Sequence, residues 1–292
     1  MSFLILGRQL HNNNSSLEPW LETYFRFEYK LEPTGYEIFV TQQTPPNFPL
    51  ETPMTTLDLH DSKLEMRSAG NEFWFGTLES GMKFTHQTNS SKLKWWGNEI
   101  PYNALFVGIC EALRLSGLVS LHASIAARDG LATAFLGPSG RGKSTTLLRA
   151  SIAGWQIIAE DFSWLDPATM NLYGFDRGLR LLPDTAEIFK QHHPKIQLNQ
   201  MVVDKYVVPY EQLGVIRQAV KLMRLAVLER NPEVISSWQS LSKREGALAL
   251  WEANGVPFTT EAQNFVSSII PNLLTRLKLE RLVLGEGELP LG

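Results

Sequence analysis

Gly137-Pro138-Ser139-Gly140-Arg141-Gly142-Lys143-Ser144 is the stretch on which the reading of this chain turns. It fits G-x-x-x-x-G-K-[ST] at every fixed position, and its flanks are of the required kind. Leu131 to Leu136 ahead of it reads as a buried strand. Lys143 to about Ala153 behind it reads as a helix, broken at Gly154. The glycines let the backbone curl so that successive N–H groups point inward at a phosphate, helped by the positive end of the following helix. Lys143 would then set a point charge between the β- and γ-phosphates, and Ser144 would offer a hydroxyl to Mg2+. Gly137, Pro138, Ser139, Gly140, Arg141, Gly142, Lys143, Ser144 and Thr145 are therefore the expected nucleotide-binding residues, with ATP and Mg2+ as the expected ligands.

A phosphate loop does not name a reaction, and its surroundings say more. The first strand expected after the loop's own helix, Trp155-Gln156-Ile157-Ile158-Ala159, ends in Glu160-Asp161. One carboxylate at that position can hold Mg2+ with Ser144, and the other is free to accept a hydroxyl proton. Adjacent residues of a strand face opposite ways, so the two need not share a role. Upstream, LVSLHASIAA and LATAFLG flank Arg128-Asp129-Gly130, and Asp-Gly between apolar runs is a strong hairpin signal. That hairpin places His122 in the strand paired with the one feeding the loop, near the phosphate site.

Outward from this centre, the chain has 292 residues, 43% hydrophobic and 20% charged, enough for one large or two small domains with substantial cores. Its 27 basic and 30 acidic residues give a net charge of −3, and no basic tail or half supports electrostatic binding to nucleic acid. The lone Cys110 supports neither an internal disulfide nor a zinc cluster. MSFLILGRQLHNNN lacks a charged n-region, its apolar run is short for a signal peptide, and no stretch is long enough to span a membrane. A cytoplasmic protein is expected, without nucleic-acid or membrane partners.

Residues 1–100 read as a β-rich module. Tyr24-Phe25-Arg26-Phe27, Tyr36 to Val40 and Glu72 to Phe75 have the aromatic patterning of half-buried strands, and TQQTPPNFPLETP reads as a loop. Residues 101–292 are expected to form the catalytic domain. It begins with a helix over Tyr102–Leu115, stopped by Gly117, and contains a strand at Leu222–Leu228. Helical stretches around Ser236–Ala253 and Thr260–Leu277 and a closing apolar segment at Glu280–Leu284 complete it. His11, His60, His86, His192 and His193 have no metal-ligand spacing and read as surface residues.

The ordered set of Leu121-His122-Ala123, the hairpin, GPSGRGKS and AGWQIIAED resembles the HPr kinase/phosphorylase family. The resemblance implies an α/β fold, with a P-loop kinase core built on a mixed sheet and the β-rich N-terminal module beside it. It implies an ATP- and Mg2+-dependent serine kinase. Lys143 and Ser144 match the phosphate and metal positions, and Asp161 matches the second aspartate, linked to Mg2+. Glu160 stands where the family has its first aspartate, the base, and His122 matches the active-site histidine. Phe175-Asp176-Arg177-Gly178-Leu179-Arg180 only partly matches the family's Glu-x-Arg-Gly-Leu-Gly segment. The segment still offers Arg177 and Arg180, with Lys205 downstream, as contacts for phosphate or substrate. The divergent first hundred residues look more like the HPr-kinase-like lasso-peptide precursor kinases, which phosphorylate a C-terminal serine. A peptide or small-protein substrate, recognised by the N-terminal module, follows from that likeness. The family's members are oligomers, though no interface is marked in this sequence.

Two other readings stand beside this one: an HPr-type serine kinase/phosphorylase, and a non-catalytic nucleotide-binding scaffold. A conventional protein kinase would need H-R-D-x-x-x-x-N and D-F-G, and an ABC ATPase an LSGGQ-type signature; the chain carries none of these.

Overall fold

The computed structural model describes residues 1–27, 29–59, 62–138, 140–198, 200–202, 204–213, 218–286 and 290. The protein is a mixed α/β chain of two compact units. The first is Met1–Gly117 with Pro257–Gln263, and the second is Leu118–Val256 with Asn264–Gly292. The helix expected to open the catalytic domain thus belongs to the first unit, whose boundary lies at Gly117 rather than at residue 100.

The first unit is built on one eight-stranded sheet. Its elements are β1 (Ser2–Ile5), β2 (Arg8–Asn12), α1 (Glu18–Phe25), β3 (Glu37–Gln42), β4 (Met54–Leu59), β5 (Ser62–Ala69), β6 (Glu72–Gly76), β7 (Gly81–Gln87), β8 (Ser90–Trp96) and α2 (Tyr102–Leu115). The strand order is β1-β2-β3-β8-β7-β6-β5-β4. Period-two alternation orients β8, with Ser91, Leu93 and Trp95 buried between exposed Lys92 and Lys94. Helix α2 packs on β7 and β8. It approaches closely at Gly108, where a Cβ would stand 2.8 Å from Leu93 Cδ2. Glu111, fully buried on α2, accepts hydrogen bonds from the Phe258 N–H (2.9 Å), the Thr259 N–H (2.7 Å) and the Thr259 hydroxyl (2.8 Å). That carboxylate is one of the contacts that hold Pro257–Gln263 in this unit.

Tyr24 and Phe25, expected in a strand, close α1 instead. Pro19 fits the first turn, where its missing N–H costs nothing, and Leu21 and Phe25 bury at helical spacing. His86, expected at the surface, has a side chain only 9% exposed, with Nε2 3.4 Å from Glu261 Oε2. His60 lies outside the described residues.

The second unit holds β9 (Val119–Leu121), β10 (Ser124–Arg128), β11 (Leu131–Leu136), α3 (Lys143–Ile152), β12 (Gln156–Ala159), β13 (Ser163–Asp166), β14 (Asn171–Gly174), β15 (Gly178–Leu181), α4 (Pro183–His192), β16 (Gln200–Val202), β17 (Lys205–Pro209), β18 (Val220–Ile235), β19 (Ser237–Ser240) and α5 (Lys243–Ala253). The last helix, α6 (Thr260–Arg276), starts among first-unit residues and leads into β20 (Lys278–Glu286). A nine-stranded mixed sheet runs β12-β10-β11-β18-β14-β13-β9, with β20 joined to β18 and β19 to β20. Both of its faces are covered. Ile125, Ala127, Ala134 and Leu136 pack with Leu250, Val266 and Leu273 from α5 and α6. Ala126 and Phe135, on the opposite face, pack with Leu147 and Leu148 of α3 and Phe189 of α4.

The Asp129-Gly130 hairpin forms as the sequence predicts, both residues at positive φ. Two expectations change. His122 is not in the hairpin strand: the chain bends at His122-Ala123, so that β9 pairs with β13 while β10 pairs with β11 and β12. The helix read from Ser236 begins only at Lys243, because Ser242 and Glu245 form a capping box there. Ser237–Ser240 is instead the strand at the edge of β20.

Candidate active site

Strand β10 is antiparallel to both β11 and β12, so those two run the same way. Their carboxyl ends therefore reach one edge of the sheet: Leu136 feeds the glycine-rich loop, and Ala159 feeds Glu160-Asp161. Parallel strand ends at such an edge are where α/β proteins place ligands.

The loop closes through Gly140 (φ 80°) and Gly142 (φ 94°), conformations that suit residues without a Cβ. At Gly142 a Cβ would also lie 3.0 Å from Leu284 Cδ1. Gly142 caps α3, and its carbonyl accepts the first helical bond from the Thr146 N–H at 2.8 Å. Lys143 Nζ lies over the loop, donating to the carbonyls of Gly137 (2.8 Å) and Pro138 (3.4 Å). Pro138, Gly140, Arg141 and Thr145 are exposed along the rim, and Ser139 lies outside the described residues.

Glu160 and Asp161 follow β12 and diverge. Glu160 is 6% exposed and its Oε1 accepts the Ser144 hydroxyl at 2.7 Å. Asp161 turns toward solvent, its Oδ1 3.1 Å from His122 Nε2. Arg180 on β15 reaches both acids, with Nε 3.3 Å from Glu160 Oε2 and Nη2 bonded to Asp161 Oδ2. His122 arrives by the bend between β9 and β10, where the Ala123 N–H donates to the Asp161 carbonyl at 3.1 Å and the His122 N–H to Ala253 O at 2.7 Å. Lys205 opens β17 in the small sheet β15-β17-β16. The side chain of Arg177 is exposed, and its carbonyl accepts the Tyr210 N–H at 3.1 Å.

One residue at the centre was overlooked in the sequence. Asp176 Oδ2 accepts three consecutive backbone N–H groups, of Glu160 (2.8 Å), Asp161 (2.7 Å) and Phe162 (3.1 Å). Its Oδ1 accepts the Tyr210 hydroxyl at 2.9 Å. From the other side, the Ser124 hydroxyl donates to the Glu160 carbonyl at 2.6 Å. The acidic turn is held at every peptide. Its sequence signal is an acid placed directly before Arg177-Gly178-Leu179.

The electrostatics follow from crowding three carboxylates under partial cover. Burial pushes the Glu160 carboxyl above its ordinary range; the Ser144 hydroxyl and Arg180 oppose this, and Asp161 and Asp176 add to it. Burial likewise pushes Asp176 up against the pull of its N–H and hydroxyl donors. Lys143 is lowered by burial, an effect that Asp161 and Glu160 oppose and the neighbouring Lys205 charge reinforces. Burial pulls Arg180 down, but the two acids outweigh it and the guanidinium ends above its ordinary value.

The donors around Ser144 are hydroxyl and carboxylate oxygens, the hard ligands that Mg2+ takes. Among the described residues no group of three His, Cys, Asp or Glu side chains forms a closed metal cage. An open set of this kind suits an ion completed by phosphate oxygens. Among the described residues no helix is long and apolar enough to cross a membrane. No family model matches the chain, and no curated protein matches it.

Proposed function

We propose that the second unit is an ATP- and Mg2+-dependent kinase that phosphorylates a serine hydroxyl on a peptide or small protein. The observation that carries this reading is the contact between Ser144, at the start of α3, and Glu160, at the end of β12, beside Lys143 and the Asp161–His122 pair. A phosphate-binding helix end, a hydroxyl, two carboxylates and two cations converge on one sheet edge. Phosphoryl transfer needs little else, since positioning and charge neutralisation supply most of its rate. Lys143 would bind the β- and γ-phosphates. Ser144 and one carboxylate would hold Mg2+, which supplies neutralisation of phosphate charge when bound. The other carboxylate would take the proton of the substrate hydroxyl. Arg180 and Lys205 are the cations placed to meet phosphate or a substrate carboxylate. The HPr-kinase-like core and a C-terminal serine as acceptor belong to this proposal, and the first unit is its recognition module.

Mass spectrometry of a peptide panel after incubation with the protein, ATP and Mg2+ tests it. The panel holds HPr, free serine and peptides ending in serine, each repeated with Lys143→Ala. The reading expects one added phosphate on a peptide with the wild-type protein and none with the variant. Tight ATP binding with no transfer to any member would favour a nucleotide-binding scaffold instead.

A further inference from the structure

The proposed reaction needs one carboxylate beside the metal and another beside the substrate, and Glu160 and Asp161 are sequence neighbours. Resting on the kinase reading above, we propose that Glu160 is the metal-side carboxylate, shared with Ser144, and that Asp161, oriented by His122, is the base that receives the serine proton. This reverses the assignment implied by the family resemblance.

Three observations support the reversal. The first is reach: the acid touching the Ser144 hydroxyl is Glu160, at 2.7 Å, and the extra methylene of Glu over Asp is what carries its carboxyl to the head of α3. Asp161 points instead to His122 Nε2 at 3.1 Å and to Arg180. The second is access. The Glu160 side chain is 7% exposed, its two oxygens held by Ser144 and Arg180. The Asp161 side chain is the more open at 23% exposed, its oxygens held by Arg180 and by His122, itself 51% exposed. The third is rigidity. Asp176 fixes the N–H groups of both residues, so the backbone from which the two side chains depart is held; from it Glu160 reaches Ser144, Asp161 reaches His122, and Arg180 bridges the two.

In the step this implies, the serine oxygen forms a bond to the γ-phosphorus as the bond from that phosphorus to the β–γ bridging oxygen breaks. The bridging oxygen leaves with its electron pair as part of ADP. The serine proton passes to an oxygen of Asp161, and His122 holds the carboxyl in line as a positioning residue.

The test uses two nearly isosteric variants, Glu160→Gln and Asp161→Asn, and Mn2+ as a spectroscopic substitute for Mg2+. Mn2+ retained by the protein with a non-hydrolysable ATP analogue is measured by electron paramagnetic resonance. Glu160→Gln is expected to weaken Mn2+ retention about tenfold, the scale of one lost charged contact. Asp161→Asn is expected to leave it within about twofold. Ser144→Ala should match Glu160→Gln, and the double variant should lose little more, because the two residues share one ligand. On a peptide phosphorylated by the wild-type protein, Asp161→Asn should lose transfer by roughly 100- to 10,000-fold at saturating Mg2+. Glu160→Gln should recover as Mg2+ is raised. His122→Ala should lower kcat while leaving the KM for ATP unchanged. The proposal is overturned if Asp161→Asn is the variant that loses Mn2+, or if both lose it equally; either result leaves the kinase reading standing. Absence of nucleotide-dependent Mn2+ binding in the wild-type protein would instead overturn both.

Discussion

Each unit of this protein contains a carboxylate turned inward under a row of backbone donors, and the two work to different ends. In the first unit Glu111 gathers the N–H groups of Phe258 and Thr259 and pairs with Arg114 at 3.1 Å. What it holds in place is apolar: Phe258 packs edge-on against Phe73, Phe75 and Phe84, with ring centroids 5.1, 5.1 and 5.2 Å away. In the second unit Asp176 gathers the N–H groups of Glu160, Asp161 and Phe162, and what it holds is two further acids. Capping donors with an inward-turned carboxylate is a structural device in both places. In the second unit the captured peptides carry two further carboxylates, which repel one another, and on the kinase proposal that is where the device serves chemistry. A fold tolerates such repulsion where Ser144, Arg180 and Lys143 surround it, and the cost marks the site.

Substitutions at the two carboxylates test that contrast most severely. Asp176→Asn replaces an acceptor with a group that also donates, facing three donors, and the acidic turn should relax. Phosphoryl transfer is expected to fall by about 100- to 1,000-fold, the scale of losing one preorganised electrostatic contact. Steady-state kinetics on a phosphorylated peptide reads this directly, and unchanged kcat would remove Asp176 from the account.

Glu111→Ala leaves Arg114 without its carboxylate and frees the Phe258 and Thr259 N–H groups. Urea unfolding should show a loss of about 3–5 kcal/mol, as for other broken buried pairs. ATP affinity in the surviving folded protein should not change. A variant that lost ATP affinity and kept its stability would erase the distinction between the two carboxylates.

A smaller effect separates them by pH. Glu160 is raised above its ordinary value, so the native state binds its proton more tightly than the unfolded chain does. The associated stability is present below the unfolded value, about pH 4–5, and is lost as pH rises through the raised native value. Glu160→Gln removes that cost. Its melting temperature should exceed that of the wild-type protein at pH 8, and the gap should close toward pH 4.5. A gap that widened on acidification would reverse the sign of the argument. The smallest effect is chemical: burial pushes the Cys110 thiol up to about 12, so the native protein should react with a disulfide reagent only on unfolding.

Local patterns carried a large part of this architecture. The loop, its strand and helix, the Asp129-Gly130 hairpin and α2 are each fixed by residues close in sequence, and they were readable for that reason. The bend at His122-Ala123 was not, because it is set by Asp161 and Ala253, whose carbonyls draw the two N–H groups apart. Asp176 escaped for the same reason: its backbone partners precede it by a whole hairpin, Tyr210 follows it at a distance in sequence, and no periodicity announces a carboxylate that caps a turn. The helix expected from Ser236 begins later, at Lys243, because the capping box of Ser242 and Glu245 sets its start.

The central claim, that the loop and the acidic turn form one site for ATP and its metal, is tested most directly by titration calorimetry. ATP would be titrated into the wild-type protein and into Lys143→Ala, each with and without Mg2+. The account predicts binding that Mg2+ strengthens, and a roughly 10- to 100-fold loss on removing the Lys143 charge. Equal affinity in the two proteins, or no binding to the wild type, would contradict it.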